Sequence, residues 1–351
     1  MLSRVADCIY WMARYVERAE NLTRLLLANR QLILDAGAAG GNEDAFWRPL
    51  LISTGDEEGY FKLHGEVTGD QVSEYLAESR SNPNSILNCI RAARENARMI
   101  RDQLSDEIWQ CLNDIHLYLG SPRSSRQRQN DPNAFYEQIL TASYLFQGIA
   151  RSTVCRGENW MFLQIGTYLE RADKTSRLVD ACSGLPLTMA PSPGAAPLRW
   201  ASLLHSCSAY SDFREISTKP DPVRILDFLF LSEEFPRSVR FCLNEVDRAL
   251  IQLRPLQSRG ATSDPLRESG KLRSELDFTT VEEIIQEGVH QFIDRLQTRL
   301  NSLGLSIFQT FILYADLLPI DAPVAATAIF PGAWHDGSGE DERQQQQQQQ
   351  Q

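Results

Sequence analysis

Eleven residues, Tyr15 to Leu25, return as Tyr168 to Leu178 with six positions identical, and both copies carry an adjacent acid–base pair, Glu17-Arg18 and Glu170-Arg171. Around the first copy, Val5, Ile9, Met12, Val16, Ala19 and Leu26 form one apolar stripe at helical spacing, and Cys8, Trp11, Tyr15, Leu22 and Leu25 form a second. A helix that is apolar on so many sides must be buried on most of them. The continuous polar line left on it is Arg14, Glu17, Asn21 and Arg24, with Arg18 flanking. The chain must therefore enclose two helices that carry charge into the interior.

The repeat extends beyond the motif. A shift of 153 carries Ile9 to Phe162, Met12 to Ile165, Val16 to Leu169, Trp47 to Trp200, Leu50 to Leu203, Pro83 to Pro236, Ser85 to Ser238 and Cys89 to Cys242. A constant offset over such separated landmarks implies an internal duplication of roughly 150 residues, far longer than a solenoid period. The expected fold is all-α: a helical bundle of two tandem pseudo-symmetric repeats, residues 1–132 and 133–318, packed as one domain with the Glu-Arg helices side by side. The pattern predicts a helix from Ser3 to about Asp35, stopped by Gly37, Gly40 and Gly41. Short helices follow around Phe46 to Ser53 and Leu198 to Tyr210. Pro83, behind a capping Asn82, and Pro236 are expected to open helices. Asn84 to Leu104, Asp106 to Leu119 and Asn133 to about Cys155 read as helical, as does one long pattern from Thr279 to Leu317. Gly120 to Pro132 and Arg254 to Gly270 read as loop and linker. The tail, 319–351, ends in eight glutamines and is expected to be disordered.

A net charge of -11 argues against a general nucleic-acid or acidic-membrane binder. No apolar run approaches the roughly 18 residues of a membrane span, and the chain reads as cytoplasmic. The seven cysteines (Cys8, Cys89, Cys111, Cys155, Cys182, Cys207, Cys242) are scattered and read as reduced.

Three stretches together resemble the bacterial alpha-E family: the opening Met1-Leu-Ser-Arg-Val-Ala-Asp7 with Tyr10-Trp-Met12, the Glu-Arg helix, and Asn82-Pro-Asn-Ser-Ile86 followed by Arg94-Glu-Asn-Ala-Arg98. The resemblance runs from Met1 to about Leu317. It implies an all-helical domain without a settled activity, found beside or fused to ATP-grasp amidoligase-like and transglutaminase-like proteins. That association implies a part in making or trimming amide-linked peptides, as a non-catalytic partner more than a stand-alone enzyme. The family motif falls on Glu17 and Arg18 and on Glu170 and Arg171.

Buried charges need partners, because desolvation is costly. One reading crosses the copies, with Glu17 and Arg18 meeting Arg171 and Glu170. A second notes that Arg14, Arg18, Arg24, Arg171, Lys174 and Arg177 outnumber Glu17, Glu20, Glu170 and Asp173. An uncompensated guanidinium would then hold an acidic peptide or acyl-phosphate. The ligand-binding candidates are Arg14, Glu17, Arg18, Asn21, Arg24, Glu170, Arg171, Lys174 and Arg177, joined by Arg94 and Arg98 from a basic stripe on the following helix. A third reading makes Glu17 or Glu170 an acid or base in amide or acyl transfer. Arg14 becomes Thr167 and Asn21 becomes Lys174, so a site built from both copies would be asymmetric. Tyr15 and Tyr168 read as core rings whose hydroxyls need partners. Glu287-Gly-Val-His290 has the Glu-x-x-His spacing of di-iron bundles but lacks the second copy such sites need, so no metal or cofactor is expected. Phosphate-binding glycine loops are absent from the sequence.

Overall fold

The stripes on residues 3–35 are satisfied by one long helix in the computed structural model, which describes residues 3–35, 43–183, 195–254 and 264–313. In chain order the helices are α1 (Ser3–Asp35), α2 (Glu43–Thr54), α3 (Glu57–Phe61), α4 (Gly69–Ala77), α5 (Ile86–Met99), α6 (Asp106–Leu119), α7 (Pro122–Asn130) and α8 (Pro132–Thr153). There follow α9 (Glu158–Ser183), α10 (Ala195–Ser206), α11 (Tyr210–Ile216), α12 (Pro222–Leu231), α13 (Val239–Leu253), α14 (Pro265–Phe278), α15 (Val281–Glu287) and α16 (Val289–Phe311). The described residues contain no strand. The glycine stop after Asp35 and the glutamine tail lie outside the described residues.

The Glu-Arg helices α1 and α9 pack on each other at the centre. α5, α8 and α10 also lie against α1, while α13, α16 and α2 lie against α9. The N-terminal part of α1, through Val16, belongs to a large apolar core with α9, α13 and α16, while Ala19, Leu22 and Leu26 belong to a smaller core with α2, α4, α5 and α8. Helix α8 joins both, giving Phe135, Tyr136 and Ile139 to the smaller and Phe146 and Ala150 to the larger, so the cores cross the 132/133 boundary.

The same local geometry recurs 153 residues apart. After α2, Gly55 N–H donates to Ile52 O and Asp56 N–H to Leu51 O; after α10, Ser208 N–H donates to His205 O and Ala209 N–H to Leu204 O. Gly55 and Ser208 both adopt positive φ, 77° and 51°, the left-handed stop that releases the chain from a helix.

Helices α5 and α13 do not begin at their prolines. Ser85 and Ser238 are the caps, accepting from Asn88 N–H and Phe241 N–H. Asn82 instead accepts from Asn84 N–H in a tight turn, which leaves the Asn84 side chain free of the helix to bridge Arg18 and Asp56. The expected loop 120–132 contains α7, capped by Ser121 with Pro122 in its first turn. Its sequence has almost no apolar residue, so periodicity is silent there. Buried Arg128 paired with Glu78, and Ser125 hydrogen-bonded to the same carboxylate, hold it down. The expected linker 254–270 likewise ends early, because Asp264 caps α14 with Pro265 in its first turn. The pattern expected as one helix from Thr279 is broken at Gly288, whose φ of 99° separates α15 from α16.

Close approach of α1 and α9 rests on Gly166. A Cβ placed there would lie 2.4 Å from the Tyr10 carbonyl oxygen and 3.1 Å from Ala13 Cβ. Backbone cannot yield as a flexible side chain can, so Gly166→Ala is expected to destabilise the chain by about 1–3 kcal/mol in urea unfolding. Gly148→Ala, in α8 where nothing lies near the added carbon, is expected to gain about 0.5–1 kcal/mol by helix propensity alone. Equal effects at the two sites would show that the crossing does not need its glycine.

Candidate functional site

Successive residues on a helix point about 100° apart, so a Glu-Arg pair on α1 and another on α9 can each send both members across the shared interface. They do so reciprocally. Arg18 Nε donates to Glu170 Oε1 at 2.7 Å and its Nη2 to Oε2 at 3.2 Å, while Arg171 Nε donates to Glu17 Oε1 at 2.9 Å and its Nη2 to Oε2 at 2.8 Å. Both pairs are two-pronged, the geometry that suits a guanidinium to a carboxylate. The third nitrogen of each arginine is also placed: Arg18 Nη1 donates to Asn84 Oδ1 at 3.0 Å, and Arg171 Nη1 to the Pro236 carbonyl at 3.3 Å. Tyr15 and Tyr168 lie under these guanidinium groups, with ring centres 5.5 and 5.3 Å from the Arg18 and Arg171 Cζ atoms.

The surroundings differ between the halves. Glu170 also receives Arg14 Nε at 2.6 Å, with Lys174 Nζ 3.7 Å away. Glu17 also receives Arg237 Nη1 at 2.9 Å and the Asn21 amide at 3.1 Å. Arg237 Nη2 continues to Glu20 at 2.5 Å, which Arg24 and Gln147 share. Asp173 holds Lys174 at 3.1 Å and Arg177 at 3.1 Å. Arg237 is a member that the sequence reading missed, although the signal was there: it stands 153 residues after Asn84, the partner of Arg18, between two residues already matched at that spacing.

Glu17 and Glu170 are 1% and 0% exposed. Burial pushes the Glu17 carboxyl up, but Arg171 and Arg237 overcome it and hold the group down at about 2. Burial likewise opposes ionisation of Glu170, and Arg18, Arg14 and Lys174 bring it well below the ordinary carboxylate range. Asp173 is brought to about 2 against burial by Arg177 and Lys174. Both motif glutamates are therefore fixed charges. The nearby niche lined by Arg18, Lys174, Asn84 and Asp56 has a volume of about 30 Å³, room for a water molecule or two. The central helices close on themselves.

Arg94 and Arg98 stand apart from this cluster. They bind Glu95 at 2.6 and 2.8 Å, and Arg94 lies over the Trp109 ring. Glu287 and His290 fall on different helices because Gly288 separates them: Glu287 pairs with Arg295, while His290 Nδ1 lies 2.8 Å from Asp180 and its Nε2 3.4 Å from Asp294. Cys155 is exposed and Cys182 half-buried; the other five cysteines are buried, and all seven are free thiols. No helix among the described residues is long and apolar enough to cross a membrane.

Fold and site together define an all-α protein whose two longest helices are clasped by crossed, buried Glu–Arg pairs. The chain belongs to the Alpha-E family, whose model, described as a predicted alpha-helical domain with a conserved ER motif, matches residues 1–312. An uncharacterised protein of Mycobacterium bovis is 22% identical over 97% of this chain and 38% of its own length. Uncharacterised proteins from two strains of Mycobacterium tuberculosis match with the same identity and coverage. The chain thus spans 38% of the length of the curated relatives it matches. No solved structure matches it.

Proposed function

We propose that the chain is a non-catalytic helical partner in an amide-ligation system of ATP-grasp amidoligase-like and transglutaminase-like proteins. It takes an anionic group, an acidic peptide or an acyl-phosphate, on the cations at the edge of its Glu–Arg cluster. The observation that carries this reading is the imbalance of the cluster. Arg14, Arg18, Arg24, Arg171, Lys174, Arg177 and Arg237 surround Glu17, Glu20, Glu170 and Asp173, and Lys174 and Arg177 keep 19% and 17% of their side chains in solvent. Surplus positive charge at a partly dry rim favours an anion. A non-catalytic role is supported by the glutamates themselves, because a carboxylate held at about 2 and sealed from solvent is a poor proton acceptor near neutral pH. The greater length of the curated relatives fits a module that works beside other domains.

A second reading, that the motif is only a structural clasp, is favoured by the two-pronged pairs of Arg18 and Arg171 with the opposite helix. The test separates the two by leaving those pairs intact. The whole chain carrying Lys174→Gln and Arg177→Gln is titrated with oligoglutamate and used to capture the ATP-grasp amidoligase-like protein. The expected result is binding weakened about tenfold or more in a chain that keeps its native helicity but has a lower thermal midpoint, because Asp173 loses both its cations. Unchanged binding of both would leave the clasp as the whole role of the cluster.

A further inference from the structure

Gly288 turns His290 away from Glu287 and toward two other carboxylates. Its φ of 99° starts α16 afresh, and Glu287 is taken by Arg295 through two hydrogen bonds of 2.9 and 2.7 Å. His290, in the first turn of α16, instead contacts Asp180 in the last turn of α9 and Asp294 one turn further along α16. One donor atom from each of the three lies within 4.8 Å of those of the other two. Neither aspartate pairs with a lysine or arginine among the described residues, so a neutral imidazole here is flanked by two uncompensated negative charges. The side chains of His290 and Asp294 are 59% and 62% exposed, which gives an ion access.

The two contacts of the ring are unlike. Nδ1 lies 2.8 Å from Asp180 Oδ1, a hydrogen-bond distance, and a carboxylate there makes Nδ1 the protonated nitrogen. Nε2 is then left with its lone pair, 3.4 Å from Asp294 Oδ2. With no proton on either atom, nothing donates across that gap. The gap is the spacing of two donors on one tetrahedral zinc, because bonds of about 2.0–2.1 Å at about 109° place nitrogen and oxygen about 3.4 Å apart. A proton on Nε2 is the competitor for that place, since the Asp180 hydrogen bond raises the imidazole above its ordinary value. A dication meets the paired aspartates with twice the charge.

We propose that His290 Nε2 and Asp294 bind a zinc ion, with Asp180 as a positioning residue that holds the imidazole by Nδ1–H and with water in the remaining coordination places. A carboxylate behind a ligating histidine fixes its tautomer and the direction of its lone pair. The imidazole nitrogen selects zinc over magnesium, which takes oxygen donors and gives up its own water reluctantly. Two helices share the site: α16 gives both ligands, and α9 gives the group that aims them. None of these residues belongs to the Glu–Arg cluster, so the site stands independently of the partner reading above.

The experiment titrates the chain with zinc chloride by calorimetry at about pH 7.5, above the ordinary imidazole value, and follows the His290 ring protons by NMR. Zinc is expected to bind and to shift those protons, and magnesium chloride at the same concentration to do neither. His290→Ala and Asp294→Asn should each remove this site. Asp180→Asn should weaken it by about 10–100-fold, yet at saturating zinc the His290 protons should still shift, which separates aiming from ligation. Glu287→Gln should leave zinc affinity unchanged, because Glu287 serves Arg295 instead. All four side chains are partly or largely exposed, so the variants are expected to keep the parent's helicity. Binding that persists unchanged in His290→Ala or Asp294→Asn, or that is lost in Glu287→Gln, overturns the assignment. So do His290 protons that stay in place at saturating zinc or move equally with magnesium, and an Asp180→Asn affinity equal to the parent's overturns the positioning role.

Discussion

Replacing Glu170 by Gln is expected to destabilise the chain by about 3–5 kcal/mol and to lower its thermal midpoint by about 10 °C, with native helicity below the transition. The substitution keeps the size of the side chain and removes only its charge. It leaves Arg14 and Arg18, 4% and 8% exposed, facing a neutral amide with the cost of their desolvation no longer offset. An intact buried pair contributes little net stability, whereas one stripped of a member is strongly unfavourable, so the effect measures two buried cations that have lost this carboxylate rather than the value of the bond. Glu95→Gln is the matched control. Glu95 pairs with Arg94 and Arg98 on a solvated face, where such a change is worth about 1 kcal/mol or less. Comparable urea midpoints for the two variants would mean that solvent reaches the centre and that the crossed pairs are not the core of the fold.

What was legible in the sequence followed from periodicity and repetition. The central helices, their burial and the crossing of Glu17 with Arg171 and Arg18 with Glu170 could be read because each rests on spacing within one long helix and on a second copy of it. The misreadings lie where local chemistry outranks spacing. Pro83 looked like the first turn of a helix, but Ser85 is the better cap and Asn84 is needed outside the helix by Arg18. The α7 segment has no apolar period to see, and its order comes from Arg128 reaching Glu78, a contact 50 residues away in the chain. Gly288 interrupts a continuous apolar pattern because its backbone takes a positive φ that side-chain spacing does not encode. Arg237 was overlooked because its charge has no counterpart in the first half, where Asn84 occupies the equivalent place. The imbalance among the buried charges was visible as a count, but which cations kept contact with solvent depended on packing that no pattern records.

Acid should dismantle this centre in a defined window. The ordinary Glu value is 4.5, and Glu17 is held at about 2 by Arg171 and Arg237 against burial, while Asp173 falls from 3.8 to about 2. A carboxyl whose folded value is depressed gives stability that is complete above its unfolded value and is lost as pH falls toward the folded one, because the unfolded chain binds the proton first. At about 1.4 kcal/mol per unit, these two groups withdraw roughly 5 kcal/mol between about pH 4.5 and pH 2, and Glu170 adds to the loss in the same direction. Asp56 opposes them, since burial raises its carboxyl and its protonation on acidification favours the folded state, which blunts the upper end of the curve. Urea unfolding at a series of pH values, followed by helicity, is expected to show stability falling steeply below about pH 4. Glu17→Gln should be less stable than the parent chain near neutral pH, and the gap should close as pH approaches about 2, where both carry a neutral group at that position. A gap that persists undiminished at that pH would mean that Glu17 acts through packing alone, with its charge already neutralised in the native protein.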